Sequence, residues 1–184
     1  TPGLKIVYPS NPFDAKGLLC AAIEDPNPVL YFEHKLLYRS IKGPIPNDYY
    51  TIKMGEAKKV QEGGDLSIIT YGMGVHWARE ILAELPGVTA DLIDLRTLLP
   101  WDKEMVGESV QKTNRALIFH EDTLTGGIGG EISAWIAENC FRYLDAPVMR
   151  VASLDTPIPF APTLEQNFLA RGRLKEAIEN LLRF

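Results

Sequence analysis

The 184-residue chain is 46% hydrophobic and carries 19 basic and 24 acidic side chains, a formal net charge of −5. This size and composition are those of a globular protein with one large or two small domains. The mild acidity, without a Lys/Arg cluster, argues against a nucleic-acid partner or an anionic membrane surface. The sequence contains no run of 18 or more apolar residues, the length that a membrane-spanning helix needs. Because the chain opens on Thr1 without an initiator Met or a targeting segment, we expect a fragment of a longer protein.

The first 45 residues predict a strand–helix–strand unit. Leu4–Tyr8 is a short apolar strand, and Val29–Glu33 is a second one. Between them the pattern predicts a helix over Phe13–Glu24, with Ser10 or Asn11 as its N-cap.

A stretch bearing Gly and Pro, from Ser40 to Gly55, indicates a linker. After it, apolar strands alternate with amphipathic helices, and Asp102 is the expected N-cap of the second helix. The predicted strands are 66–71, 89–95, 116–120 and 148–151, and the predicted helices are 75–85, 103–112, 128–143 and 172–182. The pattern indicates an α/β fold with a mostly parallel sheet flanked by helices: a βαβ unit before the linker and an α/β domain after it.

Cysteine and histidine spacing favours neither a disulfide scaffold nor a transition-metal site. Cys20 and Cys140 are far apart in apolar, helix-like segments, which indicates buried thiols in a reducing compartment. His34, His76 and His120 do not form a pair at metal-ligand spacing on one helix.

The Gly-rich segment 126–130 follows a strand and opens a helix, as a phosphate-binding loop would. The dinucleotide fingerprint beginning at Gly127 would require Gly where Ile132 stands. The segment therefore favours a tight turn with close helix–sheet approach, with an anion site as the alternative. His120, at the carboxyl end of a strand, fits either a general base or ligand contact, or a satisfied interface residue.

Two turns allow both an ordinary and a functional interpretation. The turn at 23–28 ends a helix, so its carbonyl oxygens form either a water-closed C-cap or part of a cation site. In the turn 144–147, Asp145 is either a turn-forming residue or a surface anion for a basic partner.

Ten short stretches, taken together, carry a family resemblance that runs nearly end to end. They are Pro2–Val7, Ala15–Leu19, Pro28–Glu33, Leu37–Arg39, Ile93–Thr97, Ser109–Thr113, His120–Glu121, Gly126–Gly127, Glu131–Ile132 and Leu144–Pro147. In this order they resemble the β subunit, or the β half of a fused chain, of thiamine-diphosphate-dependent 2-oxo-acid dehydrogenase complexes. Within that family, Leu99–Asp102, His120–Glu121 and Leu124–Gly127 look more like the branched-chain enzymes.

The resemblance implies an architecture and a reaction. Residues 1–45 would be the end of a pyrimidine-binding domain and 46–184 a transketolase-type C-terminal domain. The implied reaction is oxidative decarboxylation of a branched-chain 2-oxo acid, with acyl transfer to a lipoyl group. The cofactor-activating glutamate and the catalytic histidine belong upstream of Thr1, and the α part supplies the magnesium and diphosphate site. We therefore expect no catalytic residue in this chain, and Glu33 does not fill that role.

The resemblance also implies two contact sites. A structural potassium ion would be bound by main-chain oxygens at Ala22, Asp25 and Asn27, in a site left incomplete without upstream ligands. Asp145 and the terminal carboxylate of Phe184 would receive arginine from the peripheral subunit-binding domain of the acyltransferase core.

For His120 the resemblance implies a place at the active-site channel or a subunit interface. The other implied partners are the α subunit or α half and a second β subunit. The expected compartment is the bacterial cytoplasm, or the mitochondrial matrix in a eukaryote. Two alternatives stay open: a pyruvate or acetoin dehydrogenase β subunit, and a non-catalytic α/β interaction domain.

Overall fold

The computed structural model describes residues 3–184, so Thr1 and Pro2, at the expected cut, lie outside the described part. We call residues 3–49 the amino-terminal region and residues 55–184 the sheet domain. The amino-terminal region contains strand β1 (Lys5–Val7), helix α1 (Pro12–Glu24), strand β2 (Val29–Tyr31) and the one-turn helix α2 (Leu37–Ser40).

Helix α1 begins as its sequence predicts. Asn11 is the N-cap, and its side-chain oxygen accepts a hydrogen bond from the Asp14 main-chain N–H at 2.9 Å. Pro12 occupies the first turn, where main-chain N–H groups have no partner within the helix, so that proline loses no helical hydrogen bond there. Ser10, the other candidate cap, instead donates its hydroxyl to Asp94 of the sheet domain.

The sheet domain repeats the alternation of strand and helix. Its strands are β3 (Lys58–Gln61), β4 (Leu66–Thr70), β5 (Ala90–Asp94), β6 (Thr97–Leu99), β7 (Ala116–Thr123) and β8 (Met149–Ser153). Its helices are α3 (Met73–Ala83), α4 (Lys103–Thr113), α5 (Gly129–Cys140), α6 (Pro162–Phe168) and α7 (Arg171–Leu181). Asp102 caps α4 as predicted, by accepting the Met105 N–H at 3.0 Å.

The main sheet has the order β3-β5-β4-β7-β8. Strands β5, β4, β7 and β8 run parallel, and β3 is an antiparallel edge. The predicted α/β fold with a mostly parallel sheet is therefore confirmed. Strand β6 is not part of this sheet. It pairs antiparallel with β1, so that a second sheet, β2-β1-β6, links the two regions.

The main sheet has a hydrophobic core on each face because its buried strands are apolar on both sides. In β4, Ile68 belongs to the core that includes residues of α3 and α7, and Ile69 belongs to the core that includes residues of α4 and α5. This three-layer packing holds the carboxyl ends of β4 and β7 in fixed positions.

Several bounds differ from the predicted ones. The helix predicted over 128–143 ends at Cys140 and continues as a 3-10 turn, and β7 extends three residues beyond His120. The short elements β3, β6, α2 and α6 were not predicted. In residues 3–184, none of the helices has the length and apolar character needed to cross a membrane.

Candidate functional site

The carboxyl ends of β4 and β7 form the crevice where an open α/β sheet places its ligands. From β4 the chain crosses to β5 on one side and later to β7 on the other, so the strand order reverses between β4 and β7. Tyr71 directly follows β4, and His120 and Glu121 lie near the carboxyl end of β7. The geometry of these side chains decides what the crevice can do.

His120 lies beneath the Gly-rich segment and is 1% exposed. A Cβ atom at Gly129 would lie 2.5 Å from its Nε2 atom, and one at Gly127 would lie 2.7 Å from its Cε1 atom. Gly126 adopts a φ of +79°, which favours glycine. The glycines thus permit a tight turn and close packing on the His120 ring, as the first interpretation of this segment predicted. The imidazole itself fills the space directly beneath the segment.

The His120 ring is held neutral. Burial lowers its pKa, against a smaller opposing effect from Asp122. Its plane stacks on Tyr71, with ring centroids 6.2 Å apart and an interplanar angle of 12°. Neither ring nitrogen makes a hydrogen bond within the described chain, and both predicted roles, a general base or ligand contact and a satisfied interface residue, stay predictions.

Aromatic rings continue from His120 into the amino-terminal region. Tyr8 packs on Tyr71 at 5.3 Å between centroids, and Phe32 stacks on Tyr8 at 6.0 Å. We call Phe32, Tyr8, Tyr71 and His120 the aromatic row. Beside it, His34 Nε2 lies 2.9 Å from a Glu121 carboxylate oxygen. Both features join the amino-terminal region to the carboxyl end of β7.

A second junction is buried and polar. The Arg96 guanidinium donates to the fully buried Asp14 carboxylate at 2.8 Å, and the Arg96 N–H donates to Asp94 at 3.1 Å. Arg96 itself has a φ of +58°. Burial, with a contribution from the Asp14 charge, raises the pKa of Asp94 to about 6. Sequence reasoning missed this network, although Ile93–Thr97 was among the stretches that carried the resemblance.

The turn expected to bind potassium follows the end of α1. The Asp25 carboxylate is paired with the Lys5 ammonium and accepts the Asn27 N–H at 2.9 Å, and these contacts lower its pKa. Residues 3–184 contain no cluster of three or more side chains suited to a metal ion. Since the expected ligands at Ala22, Asp25 and Asn27 are main-chain oxygens, the potassium site stays a prediction.

The two residues expected to dock a partner both lie at the surface. Asp145 is exposed, and its main-chain N–H donates to the Asn114 carbonyl at 2.9 Å, which holds the turn in place. Phe184 follows α7 and is 66% exposed. Their role in docking stays a prediction.

Comparison with known proteins relates the chain to two groups. The family model described as "Transketolase, C-terminal domain" matches residues 55–172. The 2-oxoisovalerate dehydrogenase subunit beta of Bacillus subtilis (strain 168) is 46% identical over 187 positions, which cover 100% of this chain and 57% of that protein. The mitochondrial 2-oxoisovalerate dehydrogenase subunit beta 2 of Arabidopsis thaliana is 49% identical, over 86% of this chain and 45% of that protein.

A relative with a different printed activity is similarly close. The acetoin:2,6-dichlorophenolindophenol oxidoreductase subunit beta of Bacillus subtilis is 45% identical over 91% of this chain and 49% of that protein. The chain thus spans about half the length of these relatives. Among solved structures, one described as an inactive β4 tetramer of split gene transketolase has a TM-score of 0.78 at 22% identity. It covers 99% of this chain and 58% of that one, and shows the shared fold.

Proposed function

Because this chain belongs to the transketolase C-terminal domain family, we propose that it is part of the β subunit of a branched-chain 2-oxo-acid dehydrogenase. The whole assembly would carry out thiamine-diphosphate-dependent oxidative decarboxylation of 2-oxoisovalerate and transfer the acyl group to lipoyl. The observation that carries this proposal is the 46% identity to a 2-oxoisovalerate dehydrogenase β subunit over the full chain.

The amino-terminal region supports the proposal that the chain is one part of a larger subunit. The outer edge of β2 has no strand partner in the described residues, and Ile23 on α1 is 77% exposed. An open sheet edge beside exposed apolar side chains is typical of a surface that another segment covers. We propose that residues 1–45 complete a pyrimidine-binding domain whose other strands are supplied from upstream.

The described residues do not fit thiamine diphosphate or its magnesium ion. The His120 ring fills the space beneath the Gly-rich segment, and no acidic cluster suited to a metal lies in residues 3–184. We assign no catalytic residue to this chain, and propose that the cofactor site belongs to the remaining β and α parts.

The proposed role of this chain is assembly. Asp145 and the Phe184 carboxylate would receive arginine from the peripheral subunit-binding domain, with the α subunit and a second β subunit as further partners. The exposure of both residues supports this docking role. A potassium ion at Ala22, Asp25 and Asn27 would be completed by upstream ligands.

The docking role can be tested by charge reversal in the full-length subunit. Asp145→Lys should weaken binding of the peripheral subunit-binding domain at least ten-fold, because it replaces an arginine acceptor by a like charge. Glu62→Lys, at an exposed position on the far edge of the domain, is the matched control. Unchanged binding in the Asp145 variant would refute the assignment.

A pyruvate or acetoin dehydrogenase β subunit is the second candidate, favoured by the 45% identity to the acetoin enzyme subunit. A substrate panel on the full-length protein assembled with its α subunit separates the two. We expect the highest kcat/KM with 2-oxoisovalerate, whereas a preference for pyruvate would favour the alternative. The isolated 184-residue chain should be inactive with every substrate, and decarboxylation by it would contradict the division of roles.

A further inference from the structure

A cavity of about 400 Å³ opens at the carboxyl ends of β4 and β7. It is bounded by the amino-terminal region, by the end of β7 and by α6. Its aromatic lining consists of Tyr8, Phe32, Tyr71 and Phe168. Because ligands of open α/β folds bind where the strand order reverses, this cavity occupies the position that the topology favours for a ligand.

The charged lining of this cavity is entirely acidic. Glu121, Asp122 and Glu165 line it, and the lining contains no Lys or Arg. Within residues 3–184, Glu121 pairs with His34, whereas Asp122 and Glu165 form no ion pair. The cavity therefore has a negative potential that no lysine or arginine in its wall offsets.

Nearby phenol groups respond to this potential. Burial, together with the Glu121 charge, raises the pKa of Tyr8 to about 12. The pKa of Tyr71 is raised by burial and by the charges of Asp122 and Glu121. Both phenols therefore stay neutral at physiological pH, and their rings keep the electron-rich faces that attract cations.

We propose that this cavity binds a small organic cation, a guanidinium or alkylammonium group carried on a short apolar chain. Aromatic rings and carboxylates together favour a weakly hydrated cation over an anion or a neutral ligand. Leu98 and Ile158, which also line the cavity, would pack against the apolar chain. The inference rests on the lining of the cavity and does not depend on the proposed function.

The direct test titrates the full-length subunit, assembled with its α subunit, with n-butylguanidinium and, in parallel, with n-butylurea, a neutral compound of similar size and shape. Binding is measured by calorimetry and by the methyl NMR signals of Leu98 and Ile158. We expect saturable shifts with n-butylguanidinium that weaken as salt is raised, and no comparable shifts with n-butylurea. Equal responses to the two compounds, or no response to either at millimolar concentration, would overturn the proposal.

Variants locate the binding. Asp122→Asn changes an exposed side chain and should weaken n-butylguanidinium binding roughly three-fold, and Tyr71→Leu should weaken it roughly ten-fold. Tyr71→Phe keeps the ring and should bind nearly as the parent chain does. Glu176→Gln removes an exposed carboxylate that lines a different cavity, beside β8, and should have no effect. Equal losses in the Asp122 and Glu176 variants would indicate non-specific charge attraction and contradict the proposal.

Discussion

The amino-terminal region and the sheet domain differ in how completely they cover their apolar side chains. Val7 and Leu18 are the buried apolar residues described before Ala57, whereas every strand of the main sheet except β3 contributes to a buried core. The amino-terminal region leaves nine large hydrophobic side chains exposed: Phe13, Leu19, Ile23, Leu30, Phe32, Leu36, Tyr38, Ile45 and Tyr49. The longer sheet domain leaves six large hydrophobic side chains exposed, all of them at or after Phe141.

This contrast indicates that the two regions are stabilised differently. The sheet domain buries apolar side chains on both faces of its main sheet, which is the dominant favourable contribution to folding. The amino-terminal region depends on the sheet domain through β6, the aromatic row and the Asp14–Arg96 pair. Changes inside the sheet domain should therefore alter global stability, and changes at the junction should release the amino-terminal region.

A large-to-small substitution in the core of the sheet domain should destabilise the chain most. Phe119→Ala should lower the free energy of unfolding by about 3–5 kcal/mol, because Phe119 is fully buried and its removal leaves a cavity. Ile23→Ala, in the amino-terminal region, should change it by less than about 0.5 kcal/mol. Urea denaturation measures both. Similar losses in the two variants would contradict the proposed difference between the regions.

The next effect concerns the junction. Arg96→Ala leaves the Asp14 carboxylate buried without its cationic partner, which should cost about 3 kcal/mol. Arg171→Ala is the matched control, because its pair with Glu80 is solvent-exposed and should be worth less than about 1 kcal/mol. Limited proteolysis of the Arg96 variant should cut within residues 3–49 first. Cleavage starting in the main sheet would contradict the assignment.

The same junction should respond to pH. A pKa of about 6 for Asp94 in the folded state lies above its value in the unfolded chain, so the folded state binds this proton more tightly. Stability from Asp94 is thus greatest at low pH and declines as pH rises from about 4 to about 6, by at most about 3 kcal/mol. Asp94→Asn removes this titration.

Urea denaturation of the parent chain and of Asp94→Asn, at several pH values from 4 to 7, isolates this contribution. The stability of the variant relative to the parent should increase with pH and become constant above about pH 6.5. A difference that does not vary with pH would show that Asp94 is not the titrating group.

The smallest effect of the series is at the Gly-rich segment. Gly129→Ala places a methyl group against the His120 ring and should cost about 1–3 kcal/mol. Gly130→Ala, where the nearest atom is an Arg150 guanidinium nitrogen 3.6 Å away, should be neutral or slightly stabilising. The double variant His120→Ala/Gly129→Ala should recover part of the loss. Purely additive effects would show that the two residues do not interact.

Local sequence signals predicted the parts of the fold that depend on local chemistry. The Asp102 cap and the strong apolar runs at β4 and β5 were predicted close to their observed positions, because capping and burial patterns act within a few residues. Strand β6 was missed because three residues carry no periodic signal and its partner, β1, lies about 90 residues earlier in the chain. The charged edge strand β3 was missed because it lacks an apolar face.

Sequence patterns predicted less of the candidate site than of the fold. The position of His120 at a strand end was predicted, but its stacking on Tyr71 and the arrival of Tyr8 from the other region depend on tertiary packing. Pro162 occupies the first turn of α6, so this proline was a usable helix-start signal, although no helix was predicted there. Glu165 and Phe168, which α6 brings to the cavity, could have been grouped with β7 only after the fold was known.

We propose that the amino-terminal region is an incompletely covered part of a larger subunit. Hydrogen exchange of the 184-residue chain, compared with the full-length subunit assembled with its α partner, tests it most directly. We predict that amides of residues 13–49 exchange much faster in the isolated chain, while those of β4, β5 and β7 are equally protected in both. Equal protection of residues 13–49 in the two samples would contradict the claim.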